Sequence, residues 1–191
     1  MQKIAIITGS TRPNRKSKTV AEWIVKTANE NTDYEDDFEF EIVDLAEVAL
    51  PFLDEGLPPM MSQYQNDHTK AWAEKIDAFD GYILVTPEYN HSYSPVLKNA
   101  LDFLYKEWNR KPVGFVGYGV ANGVRAIEHL KQVAVQLDMA PLNAQVDFNA
   151  FVHWDQDGNF QPDEYSAGKL PKLLSELKWW GETLKAGREK S

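Results

Sequence analysis

The chain predicts an α/β protein: five parallel strands in the order 2-1-3-4-5, doubly wound with helices on both faces. Three observations predict it. Strand-like and helix-like periods alternate from end to end. Three of the strand segments are continuous apolar runs, as strands covered on both faces require. The other two alternate apolar and polar residues and therefore belong at the edges.

Taken in order, Ile4–Thr8 is a short apolar run and the first strand. A helix follows, with Val20, Trp23, Ile24 and Ala28 on one face. Phe38, Phe40 and Ile42 alternate with Glu39 and Glu41, giving a second strand with one wet face. Trp72, Ile76 and Phe79 mark the second helix, and Tyr82–Val85 is the third strand. Leu97, Ala100, Leu101 and Leu104 define the third helix, opened by Ser94 as N-cap and Pro95 in the first turn. Val113–Val116 is the fourth strand, and Ile127, Leu130, Ala134 and Leu137 form the fourth helix. Leu142, Ala144, Val146 and Phe148 alternate with polar residues as the fifth strand. Leu170, Leu173, Leu177 and Trp180 make the last helix. This strand order is the flavodoxin-like arrangement. Residues 46–66 and 149–164 read as long loops, the second with a hairpin tip at Asp155-Gln156-Asp157-Gly158. Neither marks a boundary, so residues 1–191 are expected to form a single domain.

The absence of cysteine excludes thiol nucleophiles, thiolate metal sites and disulfides. The net charge of −9 argues against a nucleic-acid partner. That charge is uneven. Residues 1–26 carry six basic and one acidic residue, whereas residues 27–69 carry twelve acidic residues and no basic one. The N-terminal apolar stretch is too short for a signal peptide or membrane span, so a cytoplasmic protein without membrane contact is expected.

In such a sheet, ligands bind beyond the carboxyl ends of the strands, near the point where strand order reverses. The loop after the first strand, Gly9–Thr19, holds four cationic side chains and four hydroxyls and runs into a helix N-terminus. That combination suits a phosphate. A P-loop is excluded because Asn14 stands at the second glycine position. A dinucleotide fingerprint is excluded because only Gly9 is present. A phosphate cradle and a merely solvated helix cap both remain open from this loop alone. The loop after the third strand, Thr86–Pro95, is stiffened by prolines and carries Tyr89 and Tyr93. It can present fixed backbone groups and aromatic faces to a flat heterocycle. Gly117-Tyr118-Gly119 ends the fourth strand with small residues that admit close approach. One phosphate site beside two ring-facing loops suggests flavin mononucleotide, FMN.

Gly9-Ser10-Thr11-Arg12, Thr86-Pro87-Glu88-Tyr89-Asn90 and Leu97-Lys98-Asn99-Ala100-Leu101-Asp102 together resemble the NADPH-dependent FMN reductase family. His68-Thr69-Lys70-Ala71-Trp72, Lys111-Pro112-Val113 and Arg125-Ala126 agree with it. The resemblance implies that Ser10, Arg12 and Ser17, with Arg15 and Lys18, hold the FMN phosphate. It implies that Pro87, Glu88, Tyr89 and Asn90 line the isoalloxazine, with Tyr118 and Gly119 as a third contact. Two positions depart from the family pattern: Val120 follows Gly119, and Ser94 follows Tyr93. The implied activity passes hydride from NADPH or NADH to bound FMN, then to a quinone, an azo compound, free flavin or an oxidised metal. The other readings are a flavodoxin-like electron carrier and a reductase supplying reduced flavin to a partner oxygenase. No protein acid, base or nucleophile is nominated, because the flavin performs the transfer. A homodimer or homotetramer acting on a small molecule is expected, with Lys98 able to bridge chains in the resembled family.

Other features carry bland readings. Tyr165 and Lys169 have the Tyr-x-x-x-Lys spacing of short-chain dehydrogenases, but the glycine-rich first loop of that family is missing. His68, His91, His129 and His153 lack metal-ligand spacing. Trp23, Trp72 and Trp180 lie on apolar helix faces and read as core or interface residues.

Overall fold

The computed structural model describes residues 1–191 except Thr32, Glu35 and Ser191. Its sheet comprises β1 (Gln2–Thr8), β2 (Phe38–Asp44), β3 (Gly81–Pro87), β4 (Pro112–Gly119) and β5 (Ala140–Asn149). Their order is β2-β1-β3-β4-β5, and every neighbouring pair is parallel. This is the flavodoxin-like arrangement that the hydrophobic pattern predicts. β3 is buried throughout, while the edge strand β2 alternates buried and open positions.

The helices are α1 (Ser17–Asn29), α2 (Leu45–Val48), α3 (Asp67–Asp77), α4 (Pro95–Asp102), α5 (Val124–Gln136), α6 (Glu164–Ala167) and α7 (Leu170–Arg188). Two cores result, because alternate strand residues face opposite layers. Ile4 and Ile6 of β1 pack with Val20 and Ile24 of α1 and with Leu173 and Leu177 of α7. Ala5 and Ile7 face the other layer, with Trp72 and Ile76 of α3, Leu97 and Leu101 of α4, and Leu130 of α5.

Helix α4 starts as its sequence implies. Ser94 is its N-cap, the Ser94 Oγ accepts from Leu97 N, and Pro95 fills the first turn. Three details differ from expectation. Phe79 lies beyond the end of α3, although it stays buried. Trp180 is 38% exposed, beside the more exposed Trp179. The buried row of α7 runs Leu170, Leu173, Leu174, Leu177 and then Gly181, because a 3.6-residue period carries the row four positions on from Leu177. Gly181 lets the Gln2 side chain lie against the helix: a Cβ would stand 1.8 Å from Gln2 Oε1 and would push that side chain aside. Third, the long loop 46–66 contains most of α2, whose N-cap Asp44 accepts from Ala46 N. The 149–164 segment does fold back as a hairpin, with Trp154 bridging Phe160 and Gly158 at positive φ.

Candidate functional site

The loops after β1, β3 and β4 meet at the carboxyl edge of the sheet. Gly9 N donates to Val85 O at 2.8 Å, and Ser94 Oγ donates to Gly9 O, so the first and third loops are tied together. Glu88 N donates to Tyr118 O at 2.9 Å, which ties the third loop to the fourth. Ser10 Oγ and the Tyr89 hydroxyl lie 2.9 Å apart, closing the first loop over the third.

Between them is a cavity of about 170 Å³, lined by Ser10, Arg12, Asn14, Arg15, Lys16, Pro87, Tyr89 and Tyr118. Among the described residues no carboxylate lines it. It lies at the start of α1, where no side chain caps the helix and the first turn holds no acidic residue. The uncapped N–H groups and the helix dipole therefore favour an anion. Ser17 opens α1 and is fully buried, and among the described residues its Oγ makes no hydrogen bond of ordinary geometry, the Tyr118 hydroxyl lying beside it. Arg15 Nε is likewise buried without a partner. Orphaned donors around a cationic cavity fit a phosphate group, since a buried polar group left unpaired is costly.

Electrostatics set the four cations apart. Arg12 is exposed and makes no ion pair among the described residues. Arg15 is bound: its Nη2 donates to Asp44 Oδ2 at 2.5 Å, which raises the guanidinium pKa. Burial alone would push the Asp44 carboxyl up. Hydrogen bonds from Arg15, Ala46 N and Thr8 Oγ1 nevertheless hold it below its ordinary value. Lys16 Nζ reaches Ala150 O at 3.2 Å and sits 4.2 Å from the Trp154 ring centre, and burial lowers its pKa. Lys18 turns away to Glu47 at 3.5 Å and does not line the cavity. Tyr118 is buried, and burial raises its hydroxyl pKa.

The third loop forms a two-residue turn. Tyr89 N donates to Ser92 O at 2.8 Å and Ser92 N to Tyr89 O at 3.0 Å. Asn90 and His91 between them have φ of 47° and 68°. Both are left-handed without being glycine, a costly conformation that surrounding contacts must maintain. The Glu88 carboxylate does not point outward as a free group; it is bound to Arg125 at 2.5 Å. Gly119 packs on the base of the Glu88 side chain, since a Cβ there would lie 3.1 Å from Glu88 Cβ. Gly123, the N-cap of α5, has φ +76° and no room for a side chain against Tyr118 N.

The chain matches the family model for NADPH-dependent FMN reductase over residues 2–153. It belongs to that family. An NAD(P)H-dependent FMN reductase of Schizosaccharomyces pombe is 45% identical over 139 residues, covering 72% of this chain and 68% of the relative. A 2-hydroxy-1,4-benzoquinone reductase of a Burkholderia species is 33% identical, covering 74% of each chain. The solved FerB flavoenzyme, an NAD(P)H:(acceptor) oxidoreductase of Paracoccus denitrificans, superposes with a TM-score of 0.70. It covers 96% of this chain and 98% of its own at 22% identity, a likeness of fold. The protein is thus an FMN-dependent oxidoreductase using NAD(P)H, as its residue pattern implies.

Of the FMN reductase positions named from sequence, Ser10, Arg12, Arg15, Pro87, Tyr89 and Tyr118 line one cavity. Ser17 lies at the helix end beside it, and Glu88, Asn90 and Gly119 build the adjoining turn and its support. Lys18 is the position not brought in. Asn14 and Lys16 take part without having been singled out. Lys16 is the N-cap of α1, and only the helix start, one residue later, tells it apart from Lys18.

Proposed function

We propose that Ser10, Arg12, Arg15, Ser17 and the start of α1 hold the FMN phosphate in this NAD(P)H-dependent reductase. Pro87, Glu88, Tyr89, Asn90, Tyr118 and Gly119 then border the ring. The observation that carries the reading is the cationic cavity of about 170 Å³ beside the unpartnered Ser17 Oγ. When bound, FMN supplies the redox chemistry, taking hydride from the nicotinamide and passing electrons to the acceptor. The chain's part is to bind and to shield. Orphan donors and Arg12 neutralise the phosphate, and the Ser10–Tyr89 contact keeps the first and third loops together over it.

The acceptor is proposed to be a small, flat, largely apolar molecule, of quinone or azo type. A largely apolar cleft of about 380 Å³ beside the first loop, lined by Leu50, Pro51, Phe52, Pro95 and Val96 with Thr11 and Asn99, supports this class. So does the naming of the Burkholderia relative as a benzoquinone reductase. The whole chain is proposed to act as one domain in a cytoplasmic homodimer or homotetramer. The exposed apolar side chains Phe52, Met60, Met61 and Trp179 support self-association. No helix of the described residues is long and apolar enough to cross a membrane.

FMN titration of the apoprotein, followed by NADPH and NADH oxidation with benzoquinone, an azo dye, chromate and free FMN, tests this reading. Saturable FMN binding with acceptor-dependent oxidation is expected. Absence of FMN uptake refutes the site, and activity with chromate alone refutes the acceptor class.

A further inference from the structure

We propose that Arg125, at the start of α5, is a positioning residue that pre-forms the ring-facing turn before flavin arrives. The proposal rests on the flavin reading above and adds to it the device that maintains the turn's shape. Two non-glycine residues in succession, Asn90 and His91, adopt left-handed backbone. Such strain persists only where the surroundings over-determine it. Besides the Ser10–Tyr89 and Glu88–Tyr118 ties, one helix supplies the side chains that do so here.

Arg125 Nε and Nη2 donate to Glu88 Oε1 at 2.6 and 2.5 Å. Arg125 N donates to Glu88 Oε2 at 3.2 Å, so the carboxylate also lies on the positive end of α5. Arg125 Nη1 lies 3.0 Å from His91 Nε2. One guanidinium thus grips residues on both sides of Tyr89 and Asn90. One turn further along α5, His129 Nδ1 lies 3.0 Å from Ser92 Oγ and secures the far side of the turn. The Glu88 side chain is 5% exposed, whereas that of Arg125 is 41% exposed. The carboxylate is therefore committed to the clamp, and it is the backbone of residues 88–90 that remains to meet the ring. Two fixed N–H groups converging on one carboxylate oxygen while a third nitrogen reaches His91 is specific to arginine, since lysine offers a single point charge.

The experiment measures FMN and riboflavin dissociation constants for apoprotein of wild type, Arg125→Ala, Arg125→Lys, Glu88→Gln and the Arg125→Ala/Glu88→Gln double variant. The visible absorption band of bound flavin and the apoprotein melting temperature are recorded for each. Arg125→Ala is expected to weaken FMN about tenfold, the loss of a charge-assisted clamp. Riboflavin should weaken by the same factor, leaving the riboflavin-to-FMN ratio unchanged, because the phosphate donors lie on the other loop and α1. The bound band should move toward that of free flavin. Arg125→Lys should fall between wild type and Arg125→Ala, and the double variant should be no weaker than either single one.

Wild-type constants and spectra in the variants would overturn the proposal while leaving the flavin reading intact. A changed riboflavin-to-FMN ratio, or additive losses in the double variant, would also overturn it, by showing general loosening instead of a ring-end clamp. Failure of the wild type to bind FMN would overturn the flavin reading and the proposal together. Should Arg125→Ala not fold, Arg125→Lys and Glu88→Gln decide by the same criteria.

Discussion

Replacing Arg15 with alanine separates two roles that the first loop combines. In the folded protein the Arg15 side chain is 19% exposed and its Asp44 partner only 3% exposed. The substitution removes one cation from the phosphate cavity and also leaves a buried carboxylate without its charge partner. Asp44 keeps its bonds from Thr8 Oγ1 and Ala46 N, both at 3.0 Å, so the loss falls short of a fully orphaned ion. A destabilisation of about 1–3 kcal/mol at neutral pH is expected. The pH dependence then identifies its source. In the wild type the Asp44 pKa lies below its ordinary 3.8, so its stabilising contribution is present above that pH and lost as the pH falls further. Without Arg15 the pKa rises, because burial is then opposed only by the bonds from Ala46 N and Thr8 Oγ1. The variant should therefore recover stability, relative to wild type, as the pH is lowered from 7 toward 4. Urea denaturation at pH 7, 5.5 and 4.5 checks this, with FMN affinity measured in parallel and expected to fall at least tenfold. A stability difference that is constant across this range would refute the assignment of the cost to Asp44.

Three further outcomes follow from particular contacts. Arg12→Ala, which breaks no ion pair, should weaken FMN about tenfold to a hundredfold with an unchanged melting temperature; unchanged affinity on titration would move the phosphate elsewhere. Lys111 Nζ caps the end of α3 through Ile76 O at 3.4 Å and Asp77 O at 3.1 Å, and burial lowers its pKa to about 8. The unfolded chain holds that proton to higher pH, so this residue makes stability rise between about pH 8 and 10, and Lys111→Met should abolish that rise in denaturant titrations. Ser94→Ala removes the α4 cap and the donor to Gly9 O, and should lower stability by about 1–2 kcal/mol while weakening FMN through the loosened first loop. Equal denaturation midpoints for that variant and wild type would contradict the tie.

The sheet was legible because burial leaves a mark on every strand. Ile4–Thr8 and Tyr82–Val85 show no polar alternation because both faces are covered, and Phe38–Ile42 alternates because β2 is an edge. Short elements were not legible. α2 spans four residues, Leu45–Val48, too few to show a helical period, and only its Asp44 cap is a sequence signal. Trp180 illustrates a different limit: an apolar residue three positions on from Leu177 fits a helical stripe, but the packed row goes on to Gly181 where α7 meets Gln2. Within the site, Ser10, Arg12 and the Pro87–Asn90 run stand out by residue type and spacing. The partners of Arg15 and Glu88 do not, because Asp44 and Arg125 lie 29 and 37 residues away.

By itself the sequence determined which residues are apolar in which period, and with them the strand order, the edges and the loops that gather at one end of the sheet. Its charge pattern placed the cations in the first loop. Only the tertiary structure decided how each cation is used. Among the described residues Arg12 joins no ion pair, Arg15 is bound to Asp44, Lys16 lies along Trp154, and Lys18 points to Glu47. It also decided that Glu88 serves α5 and not the solvent. The reason is the range of the forces involved. Periodicity records which face of an element is covered, a pattern repeated along the element whatever covers it, whereas a charge takes its partner from whatever element the fold brings within about 3–4 Å.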